Sequence, residues 1–152
     1  AIIGGGLSGL TIANMLSRFG FQQIEVFERM SKDEVISKGA YSRLLGARTI
    51  LETGVGIESK HFDDPSQFAR VNEIFEGIGP HARPIGHTNF SHASQHDVLP
   101  LACRRQSLVR LLLAQLEINS QRQLNVHFGK SVYNIYQQDD DINVVLDIGD
   151  TE

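Results

Sequence analysis

Six residues near the start of this chain have the types and spacing of a phosphate cradle. Gly4-Gly5-Gly6-Leu7-Ser8-Gly9 fits G-x-G-x-x-G. In that pattern the first glycine permits a tight turn, the second lets the backbone approach a pyrophosphate, and the third lets helix and strand pack closely. A helix opening after Gly6 offers unpaired N–H groups, at Leu7, Ser8 and Gly9, and a partial positive charge to an anion. Glu28 follows Gly6 by 22 positions, close to the roughly 20 at which a carboxylate accepts hydrogen bonds from a ribose. An acid there disfavours a 2′-phosphate and argues against NADP at this site. The surrounding order of strand, helix, strand and terminal acid strengthens the pattern, but it leaves FAD and NAD both open.

Other residues that could do chemistry carry weaker patterns. His81, His87, His92 and His96 lie within sixteen residues, but only His92 and His96 would meet on a helix, in a segment that does not read as helical. With no carboxylate pattern beside them, they are expected to face substrate or solvent and not a metal. Cys103, the single cysteine, stands in an apolar stretch and reads as a small buried hydrophobe. It excludes an internal disulfide and suits a reducing compartment. Arg104 and Arg105 are the densest basic pair, too little for a nucleic-acid footprint on a chain of net charge −4.

These residues need elements to position them. Residues 1–3 read as a strand and 7–19 as a helix, with Leu10, Ala13, Met15 and Leu16 on its buried side and Gly20 at its C-terminal cap. Residues 24–28 form a second strand ending on Glu28. A polar stretch without strong periodicity runs over 30–38, and 44–51 is expected to be helical. All four prolines fall within 62–100, where β-like runs at 70–75 and 83–90 suggest an antiparallel excursion. Leu108, Leu111, Leu112 and Leu116 stripe an amphipathic helix over 105–118. Leu124, Val126 and Phe128 mark a further strand. Residues 132–137 and 142–148 form a hairpin joined by Asp139-Asp140-Asp141, after which 147–152 reads as a polar turn.

At 152 residues, 41% hydrophobic and 21% charged, the chain has the bulk properties of one globular domain. No apolar run approaches the roughly 20 residues of a membrane span, and no secretory signal is visible, so a cytoplasmic location is expected. The first strand is short of its usual length and the chain stops abruptly after the last. Both ends read as cuts, and a fragment of a larger protein is expected.

Val26-Phe27-Glu28-Arg29 resembles the second strand of FAD-binding two-dinucleotide-fold enzymes. The run from Pro100 through Arg104-Arg105-Gln106-Ser107-Leu108 to Leu112 resembles the arginine-x-x-leucine helix start of the aromatic-ring hydroxylases, the flavoprotein monooxygenases related to para-hydroxybenzoate and salicylate hydroxylase. Lys38-Gly39-Ala40-Tyr41 through Gly54-Val55 is similar to that family's loop and helix after the second strand. The resemblance implies an incomplete α/β, Rossmann-like FAD-binding fold with an antiparallel β excursion and a β-meander. Residues 1–152 would be a partial FAD-binding domain, with 62–100 inserted within it and facing a substrate domain. Gly4, Gly6, Leu7, Ser8, Gly9, Glu28, Arg29 and Arg105 would hold FAD, with Arg104 a one-residue alternative to Arg105 and Lys38 a supplementary charge. The implied activity is hydroxylation of an aromatic or similarly electron-rich small molecule using NAD(P)H and O2. Because the flavin carries that chemistry, no catalytic residue is assigned. The family's aspartate-glycine and glycine-aspartate signatures fall outside the chain, and Gly149-Asp150 lacks the strand-to-helix context of the latter and reads as a turn.

Three rivals remain at this level. An NAD-dependent dehydrogenase would continue with βαβ units after Glu28. An FAD oxidase or reductase could share the fold, although residues 30–38 lack the glycine-glycine-arginine element of amine oxidases and one cysteine excludes a C-x4-C pair. A binding module could use the nucleotide structurally.

Overall fold

The computed structural model describes residues 1–39, 41–44, 47–70, 73–77, 84–89, 101–119, 124–137 and 144–151. The chain opens with β1 (Ile2–Ile3), α1 (Leu7–Arg18), β2 (Ile24–Glu28), α2 (Lys32–Ser37) and β3 (Tyr41–Leu44). A short α3 (Ala47–Thr49) runs on as a π-helix over Ile50–Val55, and a 3-10 helix covers Ser59–Asp63. Then come β4 (Phe68–Arg70), β5 (Glu73–Gly77), β6 (Pro84–Asn89), β7 (Leu101–Arg104), α4 (Arg105–Asn119), β8 (Leu124–Phe128), β9 (Lys130–Gln137) and β10 (Val144–Asp150).

Three parallel strands in the order β1-β2-β8 form the central sheet. β3 and β4 flank β7 in an antiparallel sheet, while β5–β6 and β9–β10 are antiparallel ribbons. The connection from β1 to β2 is one helix. The connection from β2 to β8 carries the whole antiparallel sheet before α4 returns the chain. This is the α/β, Rossmann-like arrangement with an antiparallel excursion that the motif order implied.

The alternation in β2 shows how the layers form. Ile24, Val26 and Glu28 are buried, while Glu25 and Phe27 are partly exposed on the opposite face. Leu10 and Ala13 of α1 join Ile24, Val26 and the Leu108, Val109, Leu112 and Leu116 side of α4 in one core. Burying each Leu, Ile or Val side chain there is worth about 1.5–3 kcal/mol. The leucine stripe of α4 thus does what its spacing predicts, with Leu111 at its partly buried margin. At the end of α1, Gly20 N–H bonds Ser17 O and Phe21 N–H bonds Leu16 O, both at 3.1 Å. That pair of bonds is the Schellman closure expected of a glycine after the cap.

Four local expectations are corrected. Residues 30–38 are not an irregular polar stretch: Ser31 caps α2 by accepting from Glu34 N–H, and the Glu34 side chain accepts from Ser31 N–H in return. The S-x-x-E spacing of this capping box lies in plain view at Ser31-Lys32-Asp33-Glu34. The helix expected over 44–51 begins later, because Leu44 ends β3 against Leu101 of β7, and the π-helix carries the helical path on to Val55. Residues 147–150 are strand rather than turn: Gly149 pairs with Ser131 and Asp150 with Lys130. Tyr133 explains the glycine, since a Cβ on Gly149 would stand 2.7 Å from its ring. On α1, Met15 and Leu16 are only partly buried, whereas the polar Asn14 and Ser17 are fully enclosed.

Asn14 is enclosed because it bridges helices. Its amide donates to Leu10 O at 2.9 Å within α1 and to Leu112 O of α4 at 3.1 Å, and its oxygen accepts from Asn119 at 3.0 Å. On the other face of the sheet, His127 hydrogen-bonds Glu25, Asn125 donates to Glu25 at 2.8 Å, and the His127 ring stacks on Phe27 at 5.0 Å. The bonds from His127 first and Asn125 second hold the Glu25 carboxyl below its ordinary value of 4.5. Residues 81–83 and 90–100, with three of the four clustered histidines (His81, His92 and His96), lie outside the described residues, as does Asp139–Asp141. His87 sits in β6 opposite Phe75.

Asn14→Leu is expected to lower the unfolding free energy by about 1–3 kcal/mol, because it strands buried partners; a urea midpoint shift measures this. A carboxyl whose folded pKa is depressed stabilises fully above its unfolded value and loses that contribution as pH falls through the folded one. Glu25→Gln is therefore expected to make the loss of stability below pH 4.5 shallower, modestly because the pair is partly exposed. Acid titration of unfolding by circular dichroism, with unchanged slopes in the variant, would contradict this.

Candidate functional site

The glycine turn sits between β1 and α1, where Gly4 N–H donates to Phe27 O at 2.8 Å and ties the turn to the end of β2. Gly4 has φ of 100°, a left-handed conformation that L side chains rarely adopt. Gly9 meets this turn from the helix side: a Cβ there would lie 1.8 Å from Gly4 O. Helix and turn therefore pass in backbone contact, as the third glycine of the pattern requires. Gly6 differs. The nearest heavy atom to a Cβ built on it is the Nη2 of Arg105 at 4.0 Å, so open space lies in front of it.

That space faces the start of α1. The first helical bond runs from Leu10 N–H to Gly6 O at 2.9 Å, which places the N–H groups of Leu7, Ser8 and Gly9 ahead of the ladder. No side chain caps the helix and no acid stands in its first turn. Ser8 is exposed and Leu7 partly so. An uncapped helix start with open space before it has the electrostatics of an anion site.

Glu28 closes the other side. Strand alternation turns it to the helix-covered face, where it is 5% exposed. Its Oε2 accepts from Gly5 N–H at 2.7 Å and its Oε1 from Met30 N–H at 2.9 Å. Charge-assisted bonds of this kind offset the burial of a carboxylate. They also explain Gly5, whose Cβ would lie 2.8 Å from Glu28 Cβ. The G-x-G-x-x-G spacing assigns no role to this glycine, which stands at a variable position of the motif. Arg29 is exposed, and with Ile3, Gly4, Phe27, Glu28 and residues 130–133 it lines a cleft of about 370 Å³. The approach of 130–133 to this cleft carried no local sequence signal.

Arg105, the first residue of α4, reaches the Gly6 side of the turn from a distant part of the chain. Its Nη1 donates to Val35 O and Lys38 O, each at 2.6 Å, and its Nη2 lies toward Gly6. Arg104 is the last residue of β7 and is exposed, so of the two adjacent arginines it is Arg105 that approaches the glycine turn. Lys38 contributes its carbonyl; its ammonium is exposed beside the Met30 sulfur at 3.5 Å. Cys103 is buried in β7, and burial pushes its thiol up to about 11, well away from thiolate reactivity at neutral pH.

The FAD binding domain family matches residues 1–152. No match is found among curated proteins. Among solved structures, PqsL, described as a probable FAD-dependent monooxygenase from Pseudomonas aeruginosa, is 18% identical with a TM-score of 0.63, over 91% of this chain and 34% of that one. The p-nitrophenol 4-monooxygenase PnpA from Pseudomonas putida DLL-E4 is 16% identical with a TM-score of 0.70, over 98% of this chain and 35% of that one. The Diels-Alderase PyrE3 of pyrroindomycin biosynthesis is 19% identical with a TM-score of 0.70, over 97% and 28%. The chain thus spans about a third of the length of the structures whose fold it shares. Among the described residues, no helix is long and apolar enough to cross a membrane.

The second and third glycines of the motif should respond differently to a methyl group. Gly9→Ala forces overlap with the Gly4 carbonyl and is expected to cost about 3 kcal/mol of stability. Gly6→Ala enters open space and should change stability by under about 1 kcal/mol. Denaturant titration of the pair decides it; equal losses would mean that the turn is not packed as described.

Proposed function

The chain belongs to the FAD binding domain family, and from that premise we propose that it forms the FAD-holding part of a monooxygenase that hydroxylates an aromatic or similarly electron-rich small molecule with NAD(P)H and O2. The observation that carries this reading is the family match along the whole chain, joined to a fold shared with PqsL and PnpA. FAD supplies the redox chemistry, and the chain's own residues bind it, orient it and limit access of water.

The geometry suggests a division of labour. Leu7, Ser8 and Gly9 N–H groups at the uncapped helix start, with Gly4 and Gly6 leaving room, suit the pyrophosphate. Each Glu28 oxygen accepts one backbone N–H, which leaves it acceptor capacity for a ribose hydroxyl. The base would continue into the cleft beside Arg29 and residues 130–133. The Arg105 guanidinium, facing Gly6, can pair with a phosphate oxygen. Residues 62–100 are assigned to the substrate-facing side, and the holoprotein to the cytoplasm.

The FAD family match favours FAD over NAD where the glycine pattern left both open. A Diels–Alder cycloaddition transfers no electrons, so the fold shared with a Diels-Alderase admits a second reading, a protein that holds the nucleotide without turning it over.

An absorbance spectrum of the complete purified protein, followed by NAD(P)H in air, tests the proposal. Flavin bands that bleach with NAD(P)H, faster with a phenolic compound present, are expected. A colourless protein would sink the proposal, and retained flavin without NAD(P)H consumption would favour the structural use. Gly6→Val is expected to weaken FAD binding by tenfold or more, about 1.4 kcal/mol, while the far-ultraviolet spectrum stays native.

A further inference from the structure

The start of α4 grips the end of α2. We propose that Gln106 and Gly39, together with one end of the Arg105 guanidinium, form a clamp that ties residues 35–39 to the glycine turn and couples their order to FAD binding. This rests on the reading of that turn as part of the FAD site.

α2 is only six residues long, too short to persist on its own, and its C-cap Lys38 turns extended with φ −72° and ψ 129°. Its last carbonyls therefore need donors from elsewhere. Two of them and the cap carbonyl find donors on two consecutive residues of α4: Arg105 Nη1 serves Val35 O and Lys38 O, and Gln106 Nε2 serves Ser37 O at 3.0 Å. A guanidinium at a helix C-terminus is also favoured by the helix dipole.

Gly39 makes the grip possible. Its φ is 111°, and a Cβ there would stand 2.7 Å from Arg105 Cδ. The stem of the arginine thus lies across the glycine, which both conformation and space require. Beyond that crossing the guanidinium is a rigid planar fork. Fixing Nη1 on two carbonyls fixes Nη2 toward Gly6, so the α2 segment and the nucleotide face share one group whose two ends cannot move separately. By linkage, whatever FAD gains from an ordered Arg105 it returns as order in residues 35–39.

The test uses the complete protein with and without FAD, reading amide hydrogen exchange over residues 32–41 and FAD affinity by flavin fluorescence. In the unsubstituted protein, FAD should slow exchange over 35–39. Gln106→Leu and Gly39→Ala should speed that exchange and weaken FAD binding by about fivefold or more, although neither side chain is assigned to the nucleotide. Arg105→Lys keeps the charge but not the fork, and should lose the protection that FAD confers even at saturating FAD. Gln106→Leu removes a single exposed hydrogen bond, so it keeps the test open if Gly39→Ala does not fold. Faster exchange with unchanged FAD affinity would reduce the clamp to a structural contact and overturn the coupling. Failure of the unsubstituted protein to bind FAD would instead overturn the proposed function, and the coupling with it.

Discussion

The buried carboxylate of Glu28 joins the two pieces of backbone on which the site is built. One oxygen holds Gly5 of the turn after β1 and the other holds Met30, just past the end of β2. Together with the bond from Gly4 N–H to Phe27 O, it brings the turn and the second strand into a single rigid edge. A charge this enclosed is tolerable only with hydrogen bonds to both oxygens, and only a glycine at position 5 leaves room for it. The same acid that the ribose reading needs is therefore also a structural fastener of the turn that precedes it.

Everything behind that edge serves to hold α1 in line with it. The helix meets the turn in backbone contact at Gly9 and is fixed laterally by Asn14, whose amide spans to α4. α4 in turn begins at Arg105, so the helix that braces α1 also delivers a guanidinium to the front of the turn. The face of the sheet away from these helices carries the Phe27–His127 stack and the Glu25 hydrogen bonds, which tie β2 to β8. Core packing and site geometry are thus two descriptions of the same contacts.

Local patterns were informative where a periodicity or a fixed spacing had one physical solution. The leucines of α4, the alternation over Leu124–Phe128 and the glycine spacing each led to the observed element. They were less informative where the deciding partner was distant in sequence. Residues 30–38 contain their own capping box, but the periodicity of a six-residue helix is too short to see. Leu44 has a helical neighbourhood, yet it pairs with Leu101 in a sheet. Gly149-Asp150 has turn composition, yet the partner strand and the Tyr133 ring make it a strand.

By itself the sequence determined the nucleotide-binding turn, the two strands and the helix around it, and the acid at its expected distance. Those features depend on residues close together in the chain and on conformations that only glycine or an amphipathic spacing supplies. The tertiary structure alone decided which of two adjacent arginines faces the turn, that Gly5 and Gly39 are needed for space, and that residues 130–133 wall the cleft. Those choices are made by side chains and backbone that meet across tens of residues, and no local pattern encodes a contact whose partner arrives only on folding.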